Sequence, residues 1–299
     1  MMAHSRIIDQ TSKIERASVP ALDDILGVAF PVLDHGFVRV VGYDGNDSAI
    51  VQSARVSYGE GTKTVSEDTA LIRYLMRNRH TSPFESCTIR FHVKLPIFVA
   101  RQWMRHRTGS FNEVSGRYSI MPEATHLPEP EDLARQSDTN RQGRTGAYDP
   151  SVIAEIRAAM SAAAVFTRTR YNTLIQKFDL ARETAREVLP LSTYTEFYWR
   201  TDLHNLLHFL ELRLDSHAQF EIREYARAIC SLCRVWVPHT MNAARDYRFD
   251  AVTINRGELD ALRAMTSHLT DEDLRRHVEG RVLSEREVTD FIGKLRPGA

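Results

Sequence analysis

Residues 101–119 read Arg101-Gln-Trp-Met-Arg-His-Arg-Thr-Gly-Ser-Phe-Asn-Glu-Val-Ser-Gly-Arg-Tyr-Ser119, and they carry four arginines, one histidine and one glutamate. The first of them continue a helical run that follows Pro96, a residue that suits the first turn of a helix. The charged residues 105–107 are therefore predicted at the C-terminus of that helix, where cations complement the helix dipole. Hydrogen-bonding side chains then follow between Gly109 and Gly116, as is typical of a loop that wraps a polar ligand.

The elements on either side of this stretch follow from their periodicity. Residues from Cys87 to Leu95 alternate between apolar and polar side chains, which predicts a strand with one buried face. Aromatic and β-branched residues from Ser192 to Arg200 predict a second strand. Asp202 is predicted to cap the next helix, whose leucines recur at helical spacing and form its buried stripe.

Further boundaries are predicted from capping residues and prolines. They are a strand Gly36–Gly42, a helix capped near Asp47 or Ser48, a helix from about Ser66, an extended segment at His80–Pro83, a long helix from about Pro150 to Phe178, a helix capped by Asp179 and stopped by Pro190, and a helix that restarts at Ser216 and runs to Val237. Residues 121–150 are rich in proline and lack periodicity, so they are interpreted as a surface loop, either a lid over substrate or a variable insertion.

Composition limits the classes of function. With 299 residues, 42% hydrophobic and 26% charged, the chain is typical of a globular protein. Lys+Arg and Asp+Glu are both 39, so no overall field recruits nucleic acid. The three cysteines form no disulfide framework, which favours a reduced, cytoplasmic setting. A hydrophobic signal stretch and a run of about 18 apolar residues are both absent, so we expect a protein that is neither secreted nor membrane-spanning.

Glycine-rich phosphate loops are missing from the sequence. It contains neither Gly-x-Gly-x-x-Gly after a strand nor Gly-x-x-x-x-Gly-Lys-Ser/Thr, so any dinucleotide must be held by side chains. Guanidinium groups fork onto phosphate oxygens, which makes Arg105, Arg107, Arg117 and Arg186 the candidates. Arg182 and Arg186 lie four residues apart in a predicted helix, and the repulsion between such like charges usually indicates solvent exposure.

Arg105-His-Arg107, followed after seven residues by Ser115-Gly-Arg117, resembles the signature of the flavin-dependent thymidylate synthases, which make dTMP with FAD. Two further stretches, Arg77 to Glu85 and Arg186 to Gln219, agree with that family in order and spacing. The resemblance covers roughly residues 35–248 and is highly specific, because three separated segments match one family together.

The resemblance implies an α+β fold with a mostly antiparallel sheet and long helices. It implies a flavin-dependent thymidylate synthase domain over 35–250. Outside the resemblance, residues 1–34 are interpreted as an N-terminal extension and residues 251–299 as a C-terminal helical appendage. The implied reaction is the reductive methylation of dUMP to dTMP, with 5,10-methylenetetrahydrofolate as one-carbon donor and NADPH as reductant through bound FAD. Family members are homotetramers whose active sites are shared between subunits.

The resemblance also assigns site residues. Those expected to contact dUMP are Gln102, Trp103, Met104, Arg105, Glu113, Val114, Ser115, Gly116, Arg117, Arg186 and Arg213. Those expected to contact FAD are Ser82, Arg105, His106, Arg107, Glu113, Asp202, Leu203, His204 and His208. His80 falls on a further active-site position, and Arg186 is expected to reach the nucleotide phosphate from a neighbouring subunit.

Arg213 is the expected catalytic residue. Methylation at C5 of uracil requires that carbon to become nucleophilic, and an arginine beside the pyrimidine would stabilise the developing negative charge. Cys87 lies on the core face of a predicted strand, and Cys230 and Cys233 lie within a helix, so none resembles an activated thiolate. Whether the one-carbon unit travels through the flavin or passes directly to the nucleotide stays open.

Other interpretations remain at this point. Arg213 could simply pair with Asp215 or Glu211. The arginine-rich stretch, with Trp103, Phe111 and Tyr118 interleaved, could form an RNA-binding surface. The histidines at 204 and 208 have metal-ligand spacing and could belong to a metal hydrolase, but without a clear further ligand no metal is predicted.

Overall fold

The computed structural model describes residues 16–55, 65–138, 143–281 and 283–296, with the side chains of 65–67 left aside. The strands are β1 Phe30–Val32, β2 Gly36–Asp44, β3 Thr88–Pro96, β4 Ser110–Glu113, β5 Arg135–Gln136, β6 Arg144–Thr145 and β7 Tyr194–Asp202. The helices are α1 Pro20–Asp23, α2 Asp47–Arg55, α3 Val65–Arg77, α4 Ser82–Glu85, α5 Ile97–Trp103, α6 Pro150–Gln176, α7 Arg182–Ala185, α8 Leu203–Leu214, α9 Phe220–Trp236, α10 Pro238–Ala244, α11 Arg256–Thr266, α12 Asp271–Val278 and α13 Glu285–Leu295.

Five strands form an antiparallel sheet in the order β1-β2-β3-β7-β4. Strand β3 pairs with β7 along its whole length, from Thr88 opposite Asp202 to Pro96 opposite Tyr194. Alternate residues of β3 are fully buried, as the alternation of apolar residues predicts. The α+β class with a mostly antiparallel sheet and long helices is confirmed.

The apolar face of the sheet packs against α5, α8 and α9. Trp103 of α5 is completely buried and lies 5.3 Å from the ring of Trp199 and 4.7 Å from that of Phe209, measured between centroids. Tyr225 of α9 closes this aromatic group and donates its hydroxyl to the carbonyl of Lys94 at 2.8 Å. This shared core fixes the ends of α5 and α8 relative to each other.

Two predicted boundaries near the arginine-rich stretch are wrong. Pro96 has an extended backbone (φ −63°, ψ 146°) and ends β3, so it precedes α5 rather than opening it. Helix α5 ends at Trp103, so residues 105–107 lie in the segment after the helix. His80–Pro83 is not extended either, because Ser82 begins the single turn of α4 and a proline is tolerated in a first helical turn.

Three predicted helix starts also differ. Asn46, not Asp47 or Ser48, caps α2 by accepting from the amide of Ala49 at 3.0 Å. Asp179 has a positive φ of 52°, and the helix after it begins only at Arg182. The segment after α8 does not restart at Ser216, because the Asp215 carboxylate accepts from the amide of His217 at 2.7 Å and forms a local turn.

Asp202 caps α8 as predicted. Its Oδ1 accepts from the amide of Asn205 at 2.9 Å, and its Oδ2 accepts from the Asn205 side chain at 2.7 Å. Both carboxylate oxygens are thus engaged at the start of the helix, where a negative charge also complements the helix dipole.

The chain contacts separate into two units, one up to Asp250 and the other from Ala251. In the second, α11, α12 and α13 each begin with a capping box and share a small core that includes Leu274, Val288 and Ile292. Residues 30–32, within the expected N-terminal extension, form β1 and pair with β2, while residues 1–15 lie outside the described part of the chain. Across the described segments, no helix has both the length and the apolar character needed to cross a bilayer.

Candidate active site

Arg213 on α8 contacts the end of α5 and the segment that follows it. Its Nε–H donates to His106 Nε2 at 3.0 Å, and its Nη2 donates to the carbonyl of Gln102 at 3.3 Å. The guanidinium is half-buried, and no carboxylate of the described residues pairs with it. Glu211 pairs instead with Arg248 at 3.1 Å, and Asp215 with His217 at 2.8 Å. Arg213 therefore keeps its positive charge uncompensated by any of these carboxylates.

His106 is held in its neutral form. Burial, the charge of Arg213 and the nearby His208 lower its pKa from the ordinary 6.5 to about 4. Since Nε2 accepts the hydrogen bond from Arg213, the proton of the neutral ring resides on Nδ1. The ring lies 5.8 Å from that of His208 and 5.0 Å from that of Phe209, both edge-on. A neutral acceptor at this place orients the guanidinium without neutralising it.

The lowered pKa of His106 predicts a pH-dependent stability. Between about pH 6.5 and pH 4, His106 is protonated in the unfolded chain but stays neutral in the folded protein. The free energy of unfolding therefore falls as the pH falls through this window. His106→Gln, whose amide oxygen also accepts from Arg213, should remove this contribution. Urea unfolding of both proteins at several pH values in this window measures the contribution. If the free energy of unfolding changed equally with pH in the two proteins, the assignment would be contradicted.

Gln102 is oriented by a residue that sequence reasoning left without a role. Its side-chain amide donates to Oε1 of Gln219, next to the start of α9. Gln219 falls inside the family-like stretch Arg186 to Gln219, and that position was the only available signal. The structure thus brings together Gln102, His106, His208 and Arg213, which are all predicted site residues.

A second group forms around the loop after β4. The amide of Arg117 donates to Ser115 Oγ at 3.3 Å, and its guanidinium pairs with Glu183 of α7 at 3.0 Å. A Cβ on Gly116 would lie 3.1 Å from the Cδ of Arg186, so the glycine permits this close approach. Ser115, Gly116, Arg117 and Arg186 are therefore neighbours within one chain.

Two residues of α7, Arg182 and Glu183, belong to this second group but were not predicted as site residues. Glu183 pairs with Arg117, and the carbonyl of Tyr118 accepts from Arg182 at 2.8 Å. No hydrogen bond or ion pair among the described residues joins this group to the one around Arg213. Within one chain, Gln102 and Arg213 thus belong to one bonded group, and Ser115, Arg117 and Arg186 belong to another.

Three arginines beside the first group are free of carboxylates. Arg101, Arg105 and Arg107 are exposed, and none forms an ion pair with any residue that the structure describes. Five N–H donors in each guanidinium remain to bind a diphosphate. Together with the neutral ring of His106 and the ring of His208 packed edge-on against it, this donor set fits the anionic and aromatic parts of FAD.

Some predicted site residues have a buried side chain or a polar group that already has a hydrogen-bond partner, which limits the atoms they can present to a ligand. The side chains of Trp103 and Leu203 are completely buried, so only their backbone can face a ligand. The amide of Leu203 already donates to the carbonyl of Cys87 at 2.9 Å. Glu113 is exposed but accepts from Thr195 Oγ1 at 2.7 Å, and the amide of Val114 donates to the carbonyl of Glu196 at 2.9 Å.

The remaining predicted residues lie near the start of α8 or at the end of α5. Helix α4, with Ser82 as its first residue, packs against α8. His80 is exposed just before it, with its ring 5.7 Å from that of Tyr74. His204 is half-buried in the first turn of α8, and Met104 is half-buried after α5. In the described regions, no three His, Cys, Asp or Glu side chains cluster as metal ligands would.

The chain is similar to several known proteins. The family described as "Thymidylate synthase complementing protein" matches residues 39–239. A flavin-dependent thymidylate synthase of Wolbachia pipientis wMel is 52% identical over 251 residues, covering 84% of this chain and 88% of its own. The enzyme of that name from Gluconobacter oxydans is 52% identical over 282 residues, covering 94% and 91%.

A solved structure is similar as well. The UMP/dUMP methylase PolB of Streptomyces cacaoi, bound with 5-Br dUMP, has 34% identity and a TM-score of 0.67, and the match covers 74% of this chain and 99% of PolB. The matched segment and the shared fold place the chain among the thymidylate synthase complementing proteins. Within that class, the chain belongs to the flavin-dependent thymidylate synthase family.

Proposed function

We propose that this protein is an FAD-containing thymidylate synthase that converts dUMP to dTMP by reductive methylation. The one-carbon donor is 5,10-methylenetetrahydrofolate, and the reductant is NADPH. Relatives named flavin-dependent thymidylate synthase support FAD, and the solved relative that binds 5-Br dUMP supports a uridine nucleotide substrate. The folate and NADPH are proposed from the family resemblance.

The observation that carries the proposal is the environment of Arg213. Its guanidinium is half-buried, burial lowers its pKa, and His106 and the Gln102 carbonyl orient it without supplying a negative charge. A cation in this state attracts an anion strongly, because less water screens it than at the surface. We propose that Arg213 faces the uracil ring and stabilises the negative charge that develops there before methylation.

The proposed activation needs no cysteine nucleophile. Burial raises the pKa of Cys87 to about 11 and that of Cys233 well above its usual value. Burial also raises the pKa of Cys230, although Arg234 opposes the shift. All three thiols are buried and protonated at neutral pH, which is unsuited to adding a thiolate to C6 of uracil.

The anionic groups of the ligands would be held by arginines. We propose that Arg105 and Arg107 bind the FAD diphosphate, and that Arg117 and Arg186 bind the dUMP phosphate. Bound FAD supplies the hydride that completes the methyl group. Glu183 pairs with Arg117 at 3.0 Å and so keeps its guanidinium in place.

We further propose a homotetramer with shared active sites. The shared sites are proposed from the family resemblance, and within one chain no hydrogen bond among the described residues links the Arg186 group to the Arg213 group. Helix α6 has the required free surface: of its 27 residues only Tyr171 is buried, and Val165 and Phe166 are 64% and 58% exposed. Residues 35–250 would form the catalytic domain, with 251–299 as an appendage.

The test is a reconstitution with single omissions. Purified protein should show a flavin absorption spectrum and form dTMP from dUMP only when methylenetetrahydrofolate and NADPH are both present. Leaving out either compound should abolish the product, because one supplies the carbon and the other the electrons. A folded protein that neither contains nor binds FAD would refute the proposal.

A further inference from the structure

The polar face of the sheet carries a row of side chains that the proposed reaction leaves unused. In register across four strands lie Gly42, Arg90, Arg200 and Ser110. Both arginines are exposed, while their chain neighbours Ile89, Phe91 and Trp199 are buried on the opposite face. The row therefore points away from the core.

Two like charges face each other in this row. Directly opposed residues of antiparallel strands have their Cβ atoms about 4.5–5.5 Å apart, and like charges there destabilise the pair. Arg90 donates to the carbonyl of Val41 and Arg200 to Thr88 Oγ1, both at a long 3.4 Å. Neither guanidinium pairs with a carboxylate anywhere in the described chain. An anion bound between them would turn this repulsion into attraction.

A cavity of about 190 Å³ lies at this place, and it contains a third cation. Arg16 lines it and donates to the carbonyl of Tyr43 at 2.8 Å. Asp44 is the one carboxylate among the lining residues. A Cβ on Gly42 would lie 3.3 Å from the Nη2 of Arg90, so the glycine leaves room for that guanidinium. Three guanidiniums against one carboxylate suit a phosphate dianion.

An aromatic platform adjoins the row on the same face. Tyr198 precedes Arg200 by two residues, so the two side chains are about 7 Å apart along the strand. The Tyr198 ring is stacked on His92 with 4.7 Å between centroids, and the residue is 45% exposed. His92 is held by Glu196 at 2.9 Å and by the edge of Phe37. A fixed, exposed ring beside paired guanidiniums can bind a base and a phosphate together.

We propose that this face binds the phosphate-bearing adenosine half of the nicotinamide dinucleotide reductant, with Tyr198 under the base and Arg90, Arg200 and Arg16 around the phosphate. This proposal rests on the proposed function, which requires such a reductant. The location suits that role: Ser110 pairs with Arg200, and Thr201 Oγ1 donates to the carbonyl of Thr108 at 3.4 Å. The surface thus adjoins the segment proposed to hold FAD.

The test uses the flavin-loaded protein and the double variant Arg90→Gln/Arg200→Gln. The KM for NADPH in flavin reduction, measured without dUMP and folate, should rise about tenfold or more, as expected when two charged contacts to a phosphate are lost. Calorimetric binding of 2′,5′-ADP should weaken in parallel. FAD content should stay unchanged, and the melting temperature should stay equal or rise, because the like-charge pair is removed.

Lys94→Gln is the matched control, since it removes one charge from the same face of β3 outside the row, and it should leave both measurements unchanged. Tyr198→Leu should weaken 2′,5′-ADP but not pyrophosphate. If the double variant has a raised KM for NADPH but not for NADH, the row binds the 2′-phosphate. If the KM rises equally for NADPH and NADH, the row binds the diphosphate. Both outcomes support the proposal.

Two other outcomes overturn it. Loss of FAD from the double variant would make the row part of the flavin site. If the double variant no longer bound orthophosphate in calorimetry but kept its KM for both NADPH and NADH, the row would be a site for free phosphate only. The proposed function fails separately, if the unmodified protein binds no flavin or forms no dTMP.

Discussion

Replacing Arg213 by alanine is expected to lower kcat for dTMP formation by about 100- to 1000-fold, the usual cost of losing one preorganised group that stabilises charge in a transition state. The purified variant should keep its flavin, because Arg105 and Arg107 remain. Arg213 has no carboxylate partner among the described residues, so its removal leaves no carboxylate without its ion-pair partner. Product formation and the flavin spectrum, measured on the same preparation, check both halves of this expectation.

A charge-preserving variant refines the experiment. Arg213→Lys keeps a cation but loses the planar fork that donates to His106 and Gln102 at once, so its activity should lie between alanine and arginine. Arg234→Ala, on the exposed side of α9, is the control that removes a positive charge elsewhere. Normal turnover by Arg213→Ala would show that the uracil ring is activated by another group.

Trp103→Ala is expected to lower the free energy of unfolding by about 3–5 kcal/mol. The indole is completely buried among Phe197, Trp199, Phe209 and Tyr225, and its removal leaves a cavity where the sheet meets α5 and α8. Chemical denaturation measures the loss directly. Because α5 precedes the arginine-rich segment, dTMP formation should also decline at temperatures where the native protein is stable.

Trp103→Phe separates packing from substrate contact. The smaller ring keeps most of the apolar contacts, and the indole Nε1 has no hydrogen-bond partner in the described structure, so stability should fall far less than with alanine. The KM for dUMP should be unchanged if Trp103 meets the nucleotide only through its backbone. A raised KM with unchanged stability would instead restore a direct role for the side chain.

Local patterns predicted much of the scaffold. The alternation from Cys87 to Leu95 indicated β3, and the leucines after Asp202 indicated a helix that this aspartate caps. The cysteines were expected in buried elements, where they are found. Each of these predictions depends on side chains only a few residues apart, because side-chain direction repeats about every two residues in a strand and about every 3.6 in a helix.

Local patterns failed where a side chain had a distant or competing partner. Asp47 resembles a cap for α2, but its carboxylate accepts from the amides of His239 and Thr240 and so caps α10. Ser216 resembles the start of a helix, but the turn made by Asp215 delays α9 until Phe220. In the first place the carboxylate bonds to amides about 192 positions away, and in the second a competing turn within two residues displaces the start of the helix.

The candidate site divides in the same way. By its resemblance to one family, the sequence alone indicated the candidate site residues, including Arg213, His106 and the Ser115-Gly-Arg117 loop. Only the tertiary structure showed that His106 accepts from Arg213 across 107 positions of the chain, that Gln219 orients Gln102, and that Arg90 lies opposite Arg200 on the adjacent strand. Helix and strand preferences act between near neighbours, whereas partners and strand register are set when distant segments pack around a common core.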